Sequence, residues 1–143
     1  MAYLSLSPVT VSVYALLNVS VVTSLAPGGV RDDVPQAPTF PFVWLELREQ
    51  DIRGFGTGGL PEVELRVHTF SRYEGMKDAQ AINAKVIELL RDQALSAVTL
   101  TASGYKQAGL ITYRETVPLP DEELHGVKVR ELVSIFTLWV EET

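Results

Sequence analysis

Few residues of this sequence are of the types that carry out chemistry, and those few are widely spaced. The two histidines, His68 and His125, stand 57 positions apart, whereas a catalytic zinc site needs three converging ligands, usually with two histidines close together on one element. The chain contains no cysteine, which excludes disulfides, thiolate metal sites and cysteine nucleophiles. A Ser-His-Asp triad stays open, although no GxSxG motif marks its serine. The sequence predicts a protein that is not an enzyme and that has no metal site and no cofactor.

The glycine-rich run GFGTGG at residues 54–59 is a second feature that suggests chemistry, because glycine loops can cradle phosphates. It lacks the lysine and the following serine or threonine of a P-loop, and it joins two predicted strands instead of opening a helix. We interpret residues 51–60 as a long hairpin loop. Ile52, Arg53 and Phe55, set beside flexible glycines, suit an arm that docks on a partner.

Charge and composition narrow the class of protein further. The acidic run at residues 121–123 offers oxygen ligands for a hard cation, but a solvated loop explains it more simply. A net charge of -6 with only 12 scattered basic residues argues against binding to nucleic acid, which relies on clustered lysine and arginine. A length of 143 residues, 46% of them hydrophobic, predicts a single domain over residues 1–143.

The apolar segment at residues 8–24 must be placed before the fold can be predicted. No lysine or arginine precedes Arg31, which argues against a signal peptide. The segment is too short and too rich in hydroxyl groups to cross a membrane. Its valines alternate as in a strand and also fit helical spacing. Ser7 as N-cap, Pro8 in the first turn and the following Pro27-Gly28-Gly29 turn favour a helix over residues 8–24.

The remaining elements follow from hydrophobic periodicity. Residues 42–49 and 62–70 alternate apolar and polar side chains, which predicts two half-buried strands paired as a hairpin. Ser71 and Glu74 have capping-box spacing ahead of a helix whose apolar stripe comprises Met76, Ala79, Ile82, Val86, Leu89 and Leu90. Residues 97–102 and 110–117 are predicted strands around a turn at residues 103–109, and residues 118–123 a loop.

The last strand, residues 127–140, is apolar on both faces in its second half. Such a strand is covered on each face, either by a layer of its own subunit or by another subunit. With helix, two strands, helix and three strands in order, the sequence predicts an α+β domain. It has a mostly antiparallel sheet with two helices packed on one face.

The candidate interaction residues combine two tryptophans on strands with charged residues beside them. Tryptophan is enriched at protein interfaces, and core placement of Trp44 and Trp139 is an equally good interpretation. Glu46 and Arg48 form cross-strand charge pairs or line a subunit contact. The predicted interface therefore comprises Trp44, Glu46, Arg48, Asp51, Ile52, Arg53, Phe55, Thr57, Phe136 and Trp139.

The order of elements resembles the tail completion family of long-tailed, siphovirus-like phages, which includes tail terminators. The resemblance rests on VYALL at 13–17, VRDDVP at 30–35, PFVWL at 41–45, TFS at 69–71 and the helix at 79–90, and it spans about residues 8–140. It implies a structural subunit that forms a hexameric ring, caps the head-proximal end of the tail tube and stops tube polymerisation.

The resemblance also implies partners and a location. The partners are further copies of the chain, the tail tube protein and a neck or head-completion protein, with DNA passing through the lumen without specific binding and no membrane contact. The protein is expected in the virion tail or neck after assembly in the host cytoplasm. A neck or head-tail joining subunit is the alternative, and a small ligand-binding domain or hydrolase a more distant one.

Overall fold

A computed structural model describes residues 7–50, 62–72, 76–94, 105–124 and 126–142. Within these ranges the chain forms a mixed α/β fold with three helices and six strands. In chain order they are α1 (Ser7–Leu17), α2 (Ser20–Thr23), β1 (Val30–Arg31), β2 (Phe42–Gln50), β3 (Glu62–Arg72), α3 (Met76–Leu90), β4 (Tyr105–Pro118), β5 (Glu122–Leu124) and β6 (Val127–Glu142). None of the described helices is long and apolar enough to cross a membrane.

The six strands form one open sheet in the order β1-β2-β3-β6-β4, with β5 paired to β6. Only β1 and β2 are parallel, and the other pairs are antiparallel. The predicted hairpin of β2 and β3 is present, with Phe42 opposite Phe70 and Gln50 opposite Glu62. Strand β6 lies between β3 and β4, and its residues Phe136, Leu138 and Val140 lie in the main hydrophobic core.

The first predicted helix is interrupted, so the described residues form three helices, whereas the sequence predicts two. Helix α1 buries Val9, Val13 and Leu17, a stripe whose next members at helical spacing are residues 20 and 21. The chain buries Val22 and Ala26 instead. Val19 has an extended backbone, at φ -127 and ψ 160, and this break rotates the buried stripe so that Val22 and Ala26 face the core. Because valine is β-branched and has a low helix propensity, leaving the helix costs little free energy at this position.

The main hydrophobic core joins residues of the helices with one face of the sheet. The sheet supplies residues of five strands: Val30 of β1, Val43 and Leu45 of β2, Val63, Leu65 and Val67 of β3, Ile111 of β4, and Phe136, Leu138 and Val140 of β6. The helices supply Val9, Val13, Leu17, Val22, Ile82, Val86 and Leu90. We call this face of the sheet the helix-side face. In α3, Leu90 is fully buried, whereas Leu89 of the predicted stripe is only partly buried.

Several local predictions are corrected by the sheet. Ser71 lies in β3, opposite Arg130 of β6, so the capping-box interpretation is wrong. Residues 105–109 continue β4 instead of forming a turn, and Glu122 and Glu123 lie in β5 instead of a loop. In each case hydrogen bonding to a neighbouring strand outweighs the local preference. The predicted strand at 97–102 and His125 lie outside the described residues.

Candidate protein interface

The opposite side of the sheet, which we call the second face, carries most of the predicted interaction residues that the structure describes. Trp44, Glu46 and Arg48 of β2 alternate with the core residues and stand opposite His68, Arg66 and Glu64 of β3. Trp139 of β6 pairs with Glu62 of β3, so it lies on the same face. Because His68 and Glu62 are six residue steps apart along β3, the two tryptophans are about 20 Å apart along the strand direction.

Phe136 is a correction to the predicted interface. Its side chain lies on the helix-side face and is fully buried, with its ring centroid 5.4 Å from that of Tyr113. A side chain with no exposed surface cannot contact another subunit, so Phe136 belongs to the core. Asp51, Ile52, Arg53, Phe55 and Thr57 lie outside the described residues.

A second, smaller hydrophobic cluster covers one end of the second face. Phe42 and Phe70 stack with ring centroids 4.8 Å apart and pack with Val129. Val34 and Phe40, from the proline-rich link before β2, pack against them, as does Leu124 of β5. The link and β5 therefore cover this end of the second face. The other end of the second face, which carries Arg48 and Trp139, lies outside the described hydrophobic clusters.

His68 lies at the centre of a charged cluster on the second face. Its Nε2 is 3.2 Å from Oε1 of Glu46, and its Nδ1 is hydrogen-bonded to Oε2 of Glu131. The indole of Trp44 stacks on the imidazole at a centroid distance of 4.3 Å. Both ring nitrogens can donate to the two carboxylates only when the imidazole is protonated. The cluster thus links β2, β3 and β6 through one ring.

Trp44 has a structural role within the subunit as well as a place on the candidate interface. Its Nε1 donates a hydrogen bond to the backbone oxygen of Asp32 at 3.2 Å, which ties the link after β1 to β2. The ring is partly buried and covers His68. A tryptophan with its N–H satisfied and part of its ring exposed is the usual form of an interface anchor.

Glu122 of β5 extends the charged cluster. Partial burial, a hydrogen bond with Glu131 and the negative charge of Glu131 together raise the pKa of this carboxyl from 4.5 to about 7, against an opposing effect of His68. Glu122 therefore keeps its proton to a higher pH than an ordinary glutamate does. Among the described residues no group of three or more His, Cys, Asp or Glu is arranged to hold a metal ion.

Glu122→Gln is expected to remove part of the pH dependence of stability. The pKa of Glu122 is higher in the folded chain, about 7, than its ordinary value of 4.5, so the folded state holds the proton more tightly. The free energy of unfolding of the natural protein therefore falls as pH rises from about 4.5 to 7. Relative to the variant, we expect a loss on the order of 1 kcal/mol after screening by water, measured by urea denaturation across that range.

The control for this experiment is Glu123→Gln, which removes the neighbouring exposed carboxylate of β5. It should leave the shape of the natural pH profile unchanged. Parallel profiles for the natural protein and Glu122→Gln would contradict the raised pKa of Glu122 in the folded chain.

Sequence reasoning placed Trp44, Glu46 and Arg48 on one face of a strand but missed the cluster at His68. The two carboxylates that contact its ring lie 22 and 63 positions away along the chain. Only the strand register brings them together, since Glu131 lies on β6 and no local pattern marks it. The only local signal was a histidine at a strand position where the alternating pattern predicts a polar side chain.

Together these features define a class of protein, a small α/β domain built on one open sheet with a partly covered second face. Comparison of the chain with known families gives a match to the model of "Tail completion protein gp17" over residues 12–130. The chain therefore belongs to the tail completion protein gp17 family, as its resemblance predicted.

Among solved structures, the chain is similar to one in the virion of a native gene transfer agent particle. The TM-score is 0.70 at 20% sequence identity, and the similarity covers 98% of this chain and 99% of that chain. At this identity the similarity concerns the fold, and it extends over the whole of both chains. The search of curated proteins finds no match.

Proposed function

We propose that this protein is a structural component of a phage-like virion that acts as a tail terminator. In this role, copies of the chain form a hexameric ring that caps the head-proximal end of the tail tube, stops its polymerisation and connects it to the neck. The observation that carries the proposal is the family match over residues 12–130. The similarity in fold to a chain of an assembled virion particle supports it.

The geometry supports a protein that works by contact with other proteins. The sheet ends in two different strands, β1 and β4, and unpaired sheet edges are surfaces that assemblies use or cover. The second face offers Trp44 and Trp139 with Arg48, and the segment at residues 51–57 adds the apolar and basic residues of the predicted arm. These surfaces are the proposed contacts with neighbouring copies, the tail tube protein and the neck protein.

The charge of the chain suits a ring through which DNA passes. A net charge of -6 makes strong retention of phosphate groups unfavourable, because like charges repel at close range. The DNA would therefore cross the lumen without being held there. The proposed location is the tail or neck of the virion, after assembly in the host cytoplasm.

Tails assembled in a host that makes no heads test the proposed role. Without this protein, tail tubes should grow beyond their normal length, and addition of the purified protein should yield capped tubes of defined length, measured by electron microscopy. Mass measurement of the protein mixed with tail tube protein should give six copies of the chain per ring. Tubes of normal length without the protein, with the protein found only on filled heads, would assign it instead to the head-tail joint.

A further inference from the structure

A groove of about 400 Å³ lies between α1 and the β1 edge of the sheet. It is lined by Thr10, Val11 and Tyr14 of α1, by Val30, Arg31 and Leu45 of the sheet, and by Asp32 and Asp33 of the link. Val11 is 53% exposed and Tyr14 41% exposed, although both are large apolar side chains. Such a surface with an acidic border is typical of a binding site for another protein.

The opposite edge of the sheet presents a single leucine in a fixed position. Leu110 of β4 is 52% exposed while the next residue, Ile111, is fully buried. The register of β4 against β6 shifts between Ala108 and Thr112, and such a bulge redirects side chains. The amide of Asp92 donates to the carbonyl of Ile111 at 3.0 Å, and the amide of Ile111 donates to the carbonyl of Gln93 at 3.0 Å. The backbone beside Leu110 is therefore held in place.

We infer that Leu110 of one copy enters the groove between α1 and β1 of the next copy. This inference rests on the proposed ring and names the two surfaces that form it. Strands β1 and β4 stand at opposite ends of the five-strand order, about 19 Å apart at normal strand spacing, so one copy cannot make the contact with itself.

The two surfaces differ, which determines the kind of assembly that they form. A contact between unlike patches is heterologous, and repeated from copy to copy it closes into a ring when the rotation between copies permits. A two-fold dimer would instead require one patch to pair with itself. Contact between opposite edges therefore leads to the ring geometry that the proposed function requires.

Charge is consistent with the same pairing. The groove carries two exposed carboxylates, Asp32 and Asp33, and one exposed guanidinium, Arg31, whose Nε donates to the carbonyl of Gly28, so that its border is net negative. Near Leu110 stands Arg91, whose Nε lies 3.6 Å from an oxygen of Asp92, with side chains 64% and 73% exposed. An exposed pair of this kind contributes little to stability, so Arg91 can pair with the groove carboxylates of a neighbour. Arg114 and Glu115 follow on the same strand and balance each other in charge.

Because the chain has no cysteine, paired cysteines test the contact directly. The variant with Val11→Cys and Leu110→Cys, oxidised under conditions where the natural protein forms rings, should give a ladder of covalent multimers up to the closed ring on denaturing gels. Each single substitution should give no ladder beyond dimers. The matched control is Val21→Cys with Leu110→Cys, because Val21 is 48% exposed on α2 and does not line the groove.

A second variant measures the contribution of the contact to assembly. Leu110→Asp should raise the protein concentration needed for ring formation at least about tenfold, since a charge would enter an apolar groove. Its unfolding midpoint should stay close to that of the natural protein because the residue is exposed. If the natural protein forms rings while Leu110→Asp assembles equally well and the Val11–Leu110 pair gives no ladder, the inference is wrong. If the natural protein forms no ring, alone or with tail tube protein, the proposed function fails first.

Discussion

Replacement of Gly28 by alanine is expected to lower the free energy of unfolding by at least about 3 kcal/mol. A Cβ atom at this position would stand 1.9 Å from the carbonyl oxygen of Thr39, 2.7 Å from Cβ of Phe42 and 2.9 Å from the carbonyl oxygen of Pro41. Two of these three atoms belong to the backbone, which cannot move aside without displacing the chain around it.

The backbone around Gly28 also positions residues of the second face, which is why the expected loss of stability is large. The amide of Gly28 donates to the carbonyl of Pro41 at 3.0 Å, and its carbonyl accepts from Nε of Arg31 at 2.9 Å. The link closed in this way places Phe40 against Phe42, with ring centroids 5.5 Å apart. A shift at Gly28 would therefore also disturb the small hydrophobic cluster.

Gly29→Ala is the matched control, since it changes the next residue by the same single carbon. Gly29 has φ +84 but no heavy atom within 4 Å of the added carbon. Only the left-handed backbone conformation opposes alanine there, at a cost of about 1–2 kcal/mol. Urea denaturation of both variants gives the comparison. Equal losses in the free energy of unfolding for the two variants would show that the close contacts at Gly28 do not determine the cost of alanine there.

The second large effect is expected for Phe136→Ala, which should lower the free energy of unfolding by about 3–5 kcal/mol. The ring is fully buried in the main core, where residues of the three described helices and of five strands meet. Removal of the ring leaves a cavity that a close-packed interior refills only in part. Thermal or urea denaturation of the purified variant measures the loss.

Trp139→Ala provides the contrast, because Trp139 lies on the second face and is only partly buried. It should lower stability less than Phe136→Ala and should weaken association with neighbouring copies or tail tube protein. A Phe136→Ala variant with natural stability and impaired assembly would return Phe136 to the interface. A stable, assembly-competent Trp139→Ala variant would remove Trp139 from the proposed contacts.

The helix α3 and the hairpin of β2 and β3 show what could be predicted well. Their periodic patterns are long, and each pattern reports directly which side chains face the core. The break after Leu17 could not be predicted this way. It arises because Val22 and Ala26 pack in the core, and the position of that core relative to α1 is set by the rest of the fold.

The candidate interface could likewise be predicted only in part. Alternation along β2 places Trp44, Glu46 and Arg48 on one face without any knowledge of the fold, whereas Phe136 was assigned to the interface because β6 is apolar on both sides. Pairing of β6 with β3 and β4 decides which of its faces lies under the helices, and Phe136 lies on that face. An apolar pattern by itself does not distinguish a core from a contact surface.

The sequence by itself determined the features that depend on near neighbours: the main strands and α3, the alternation of faces, and the family, which the order of elements reveals. The tertiary structure alone decided the features that depend on register. These are the cluster of His68 with Glu46 and Glu131, the exposure of the Leu110 side chain and the close approach of backbone oxygens to Gly28. Each joins residues distant in sequence, and such pairs meet only when strands align, because a shift of one residue in register moves every side chain to the other face.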